Sequence, residues 1–107
     1  MDPSEKRDEP RLPAGFAGML FDGQTGSPCF IQNMCSRGFL IKHSNDLPVG
    51  HSLRLTCELY PDQAVECTVQ VRHVNADCLG ARVIEIGDDS RILCQRYLEE
   101  QRIAGER

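Results

Sequence analysis

Two groups of residues in this chain have types and spacing suited to chemistry. The first is Lys6-Arg7-Asp8-Glu9-Pro10-Arg11. Pro10 drives Glu9 out of the helical region, and in an extended segment residues i and i+4 point to one side. Arg7 and Arg11 therefore face a common target, with Cα atoms about 13 Å apart in a straight arm. A guanidinium presents a planar fork of donors that fits a phosphate or the acceptor edge of a guanine. The second group is Asn33-Met34-Cys35-Ser36-Arg37-Gly38. The Asn33 amide offers a donor and an acceptor to a base edge, and Gly38 permits a bulge and a close approach of ligand to backbone. The chemistry these residues suit is recognition of a nucleotide-like anion, without bond making.

Each feature also has a plainer reading. A lone Arg-x-x-x-Arg is usually part of a solvated tail, and Asp2, Glu5, Asp8 and Glu9 outnumber Lys6, Arg7 and Arg11. Such an arm does not hold phosphate by bulk charge, so any binding rests on geometry at a specific site. Asn33 and Gly38 taken singly read as turn residues, Cys35 as core and Arg37 as solvated. Asp88-Asp89 and Glu99-Glu100 are adjacent, and neighbouring helical residues do not face one another. No nucleophile paired with a base, zinc-protease motif or phosphate-cradling glycine loop occurs, so the sequence points away from an enzyme.

The chain has 107 residues, a formal net charge of −4 and no tryptophan. That length suits one domain around one core, and that charge argues against a protein that coats DNA or RNA. No segment is long and apolar enough to span a bilayer as a helix. The polar start lacks the apolar region of a secretory signal, which makes the cytoplasm the expected location. Six cysteines, at 29, 35, 57, 67, 78 and 94, form no Cys-x-x-Cys pair and keep no metal-finger spacing with histidine. Cys57 and Cys67 fall in apolar rows, where a thiol packs as a small hydrophobe; we expect all six to be reduced and metal-free.

These residues are held by a predominantly β pattern. Residues 14–21 and 29–33 read as two strands, with Asp22-Gly23 and Gly26-Ser27-Pro28 bracketing a turn. Residues 39–42 read as a third, after a turn or bulge at 34–38, and 43–50 as a loop. Leu53, Leu55, Cys57 and Leu59 alternate with polar residues, as do Val65, Cys67, Val69 and Val71. Pro61-Asp62 joins these two strands as an antiparallel pair. His73 continues the valine row, which makes it a strand-end or satisfied core residue. A sixth strand covers 78–86. Gly87-Asp88-Asp89-Ser90 then signals a helix with an acidic or hydroxyl cap; Ile92, Leu93, Tyr97 and Leu98 recur at helical spacing to about Gln101, and residues 104–107 are expected to fray. The predicted fold is all-β, a six-stranded antiparallel barrel with a C-terminal α-helix over an open end or face. Residues 1–12 are the expected mobile arm and 13–103 the barrel domain.

Arg7-Asp-Glu-Pro-Arg11 followed by Asn33-Met-Cys-Ser-Arg-Gly38, on this order of elements, resembles the PilZ family of bacterial cyclic di-GMP receptors. That family carries an Arg-x-x-x-Arg arm and an Asp/Asn-x-Ser-x-x-Gly turn on a six-stranded barrel. The resemblance implies that Arg7 and Arg11 grip phosphates and guanine edges, that Asn33 binds a guanine, and that Cys35 and Gly38 complete the ligand site. It implies no cofactor beyond the ligand cyclic di-GMP, a downstream protein partner, and a monomer or weak dimer. Position 35 departs from the pattern, with cysteine in place of serine. A thiol is the weaker hydrogen-bond partner, a loss of about 1 kcal/mol. The alternative is a barrel of the same family that docks to a protein and binds no nucleotide. A thiol-redox or metal protein is a third reading, supported only by the cysteine count.

Overall fold

Strict alternation makes residues 52–75 a hairpin. Every second side chain from Leu53 to Cys57 and from Val65 to Val71 is buried, which two strands with a common inner face require. The computed structural model describes residues 12–35, 37–43, 47–75 and 77–105. In it β4 (Ser52–Tyr60) pairs antiparallel with β5 (Gln63–Asn75) through a two-residue turn at Pro61-Asp62. Asp62 takes a positive φ of 64° there, while its backbone N–H donates to Glu58 Oε2.

Four more strands complete the wall: β1 (Leu12–Asp22), β2 (Thr25–Cys35), β3 (Gly38–Lys42) and β6 (Cys78–Ile86). Their order around the closed barrel is β1-β2-β3-β6-β5-β4, with antiparallel pairing throughout. The core is apolar: Leu20, Ile31, Met34, Phe39, Ile41, Leu55, Val65, Val69 and Val71 are the largest fully buried side chains among the described residues. Helix α1 (Asp88–Gly105) follows β6. It lays Leu93, Cys94, Tyr97 and Leu98 against the barrel, a spacing that keeps one helical face inward.

The expected barrel and terminal helix are therefore present, and several boundaries shift. The first hairpin turns at Gly23-Gln24, with Gly23 at φ 65°. Gly26, Ser27 and Pro28 are strand residues opposite Phe21, Leu20 and Met19. Pro28 is tolerated because β3 ends opposite Phe30, so no strand lies where its missing N–H would donate. Met34 and Cys35 also belong to β2, opposite Phe39 and Gly38. The strand reaches further than its sequence pattern because a bulge at Gln32 breaks the alternation. Leu12, assigned to the arm from sequence, is the first residue of β1 and pairs with Met34.

His73 does not continue the valine row. Arg72 is bulged against β6, which turns His73 outward, its ring over Gly80 where a Cβ would meet it at 2.2 Å. In the helix, Gly87 O accepts the first bond, from Arg91 N. Ser90 is not a cap: its hydroxyl accepts from Glu66 N on β5 at 2.9 Å. Ile92 faces solvent and Cys94 takes its place on the packed face. The helix also runs on past Gln101 to Gly105.

Candidate ligand-binding site

Of the predicted site residues, Asn33, Cys35 and Gly38 lie at one end of the barrel. β1 begins there, β2 ends there at Cys35, and β3 begins there at Gly38. Leu12 lies opposite Met34 and Pro13 opposite Asn33, so the root of the N-terminal arm is stitched to the strand that carries Asn33. Arg7 and Arg11 themselves lie outside the described residues, as does Ser36.

Asn33 sits on the outer wall. Its neighbour Met34 is fully buried in the core, and alternation along β2 sends Asn33 the other way. The bulge at Gln32 is what makes this so, since without it position 33 would follow Cys29 and Ile31 inward. Asn33 Oδ1 is shielded from solvent and finds no hydrogen-bond partner. A buried carbonyl oxygen without a donor costs about 1–3 kcal/mol, and such an atom in a native protein calls for a donor from outside the chain, a water, an ion or a ligand.

Cys35 and Gly38 have structural tasks of their own. Cys35 is buried and lines a cavity of about 110 Å³ between barrel and helix, with Phe39, Val83, Ile86, Cys94 and Leu98. Gly38 pairs with Arg82 of β6. A Cβ at Gly38 would stand 2.1 Å from the Ala81 carbonyl oxygen, so β6 itself forbids a side chain there. The glycine that sequence reading assigned to ligand approach is thus demanded by strand packing as well.

The helix closes this end with a chain of rings. Tyr97 meets Phe16 edge-on at 5.6 Å and Tyr60 at 6.2 Å. Arg96 stacks 4.4 Å above Tyr60, whose hydroxyl donates to Glu100 at 2.6 Å. Burial pushes the Cys94 thiol up to about 11 and the Cys57 and Cys67 thiols up to about 12. Thiols held protonated in this way are poor nucleophiles and poor metal ligands. Among the described residues no group of three or more His, Cys, Asp or Glu side chains could hold a metal ion, and no helix is long and apolar enough to cross a membrane.

Sequence reading did not single out Arg82. Its place opposite Gly38 depends on β3 pairing with β6 rather than with β4, and no local pattern signals that choice.

The family model described as PilZ domain matches residues 5–100. No curated protein matches the sequence. Among solved structures the chain is similar to the Bacillus subtilis inhibitor of motility (MotI/DgrA), with a TM-score of 0.82 and 19% sequence identity. That likeness covers 100% of this chain and 59% of the other, and at this identity it speaks to the fold alone.

Proposed function

The chain belongs to the PilZ domain family, and from that premise we propose that it is a cytoplasmic receptor that binds cyclic di-GMP and passes the signal to a protein partner. The observation that carries this reading is Asn33 Oδ1, an acceptor enclosed without a donor on the outer wall. The Watson–Crick edge of guanine offers N–H donors, including the exocyclic amine, which suit an orphaned carbonyl. The attachment of the arm supports the same reading, because Leu12 and Pro13 bring its root beside Asn33. Arg7 and Arg11 would then grip phosphates and guanine edges, with the arm closing over the ligand. Part of the binding energy is consumed in ordering the arm. Cys35 lines the cavity beneath the helix, and Gly38 keeps β3 flush with β6.

Isothermal titration with cyclic di-GMP tests the proposal. Saturable binding is expected for the native chain. Asn33→Ala should weaken it several-fold, about the value of one hydrogen bond, and leave the melting temperature of the free protein unchanged or slightly raised, since Oδ1 has no partner to lose. Absence of binding by the native chain would overturn the reading and leave a PilZ-fold module that serves protein docking alone.

A further inference from the structure

We propose that Arg82 is a further ligand-binding residue, which takes a phosphate of a cyclic dinucleotide anchored at Asn33; the inference rests on the function proposed above. It starts from register. Cys35 pairs with Gly38, and Gly38 with Arg82. Two residues along the same strands, Asn33 pairs with Leu40, and Leu40 with Gly80. Ala81 is buried in the core, so its neighbour Arg82 points outward, to the face that carries Asn33. Two strand spacings across and two residues along place the Cα atoms of Asn33 and Arg82 about 12 Å apart. Gly38 contributes no side chain to the wall between them.

Charge is the second argument. The ligand brings two phosphodiester anions. The first eleven residues carry Asp2, Glu5, Asp8 and Glu9 against Lys6, Arg7 and Arg11, so the arm as a whole supplies no excess of cation. A cation on the barrel wall would add to the contacts of Arg7 and Arg11. On the wall Arg54 lies over Phe21, and on helix α1 Arg91 pairs with Asp88, Arg96 covers Tyr60 and Arg102 pairs with Glu99; Arg72 on β5 is exposed too, but β5 lies one strand farther than β6 from Asn33. Arg82 is exposed and makes no hydrogen bond, ion pair or ring contact with any described residue. An uncommitted guanidinium beside the motif turn can turn to a phosphate without first breaking another contact.

The test is titration of cyclic di-GMP into the native chain and into Arg82→Ala, Arg82→Lys and Arg54→Ala. Arg54 stands on β4 opposite Phe21, away from this face, and controls for overall charge. Arg82→Ala should weaken binding about ten-fold, Arg82→Lys should recover part of the loss, and Arg54→Ala should stay within about two-fold. The free variants should melt with the native chain, because Arg82 has no partner among the described residues. Native binding that Arg82→Ala leaves unchanged, or that Arg54→Ala weakens equally, overturns the role of Arg82 and spares the receptor reading. A native chain that does not bind overturns both.

Discussion

The two ends of the barrel are closed by different physics. One end is plugged by helix α1 through apolar contact: Leu93, Cys94, Tyr97 and Leu98 over Phe16, Leu59, Val83 and Ile86, with a 110 Å³ cavity left beneath. The other end is fastened by directed polar contacts. Buried His43 meets Ser27 Oγ through Nε2 at 2.9 Å, and its backbone N–H donates to Asp77 O. Lys42 lies 3.8 Å from Asp77. His51 Nε2 comes within 3.0 Å of Asp22 Oδ2, close enough for an ion pair but off the line a hydrogen bond requires. Apolar contact is non-directional and survives small displacements, whereas hydrogen bonds weaken steeply with angle. The arm root, Asn33 and Gly38 lie at the plugged end. The end closed by non-directional contact is the end that carries the candidate site, while directed polar contacts fasten the other.

The contrast can be broken by mutation. Leu98→Ala should have the largest effect, about 2–5 kcal/mol of stability, read as a lower urea midpoint, because it empties the helix-barrel contact beside an existing cavity. A loss well under 1 kcal/mol would mean that the helix is not the plug. The thiols give the same end and the adjoining core a pH signature. Cys57 and Cys67 are held up near 12 and Cys94 near 11 by burial, against about 8.5 in the unfolded chain. Folded thiols keep protons that unfolded thiols release. Stability is therefore intact below about pH 8.5 and falls as pH rises toward 11–12. Urea midpoints that stay level from pH 8 to pH 11 would contradict the burial of these thiols.

Binding is expected to separate from stability. Arg7→Ala or Arg11→Ala should each lower affinity for cyclic di-GMP by roughly one to two orders of magnitude, with the free protein's melting temperature almost unchanged. An equal effect from Ser27→Ala would erase the division between the ends. At the polar end Ser27→Ala should cost about 1 kcal/mol through the lost His43 bond. Asp22→Asn should cost less than about 1 kcal/mol, since its carboxylate is mostly exposed. Both are measured by denaturant titration, and neither should alter affinity.

Local chemistry in the sequence determined much of this architecture. The β4–β5 pair, the turn at Pro61-Asp62, the sixth strand over Cys78–Ile86 and the helix start after Gly87 follow from period-two burial, turn residues and acidic first-turn positions. The paired arginines and Asn33 were legible as residues fit for an anion and a base. What the tertiary structure alone decided is where those residues point and what they touch. A bulge at Gln32 sends Met34 inward and Asn33 outward; another at Arg72 turns His73 out of the core. The pairing of β3 with β6 makes Gly38 a steric necessity beneath Ala81 and sets Arg82 beside the site. A bulge or a barrel seam is a property of two strands in register. The alternation read along one strand does not contain the partner that would specify it.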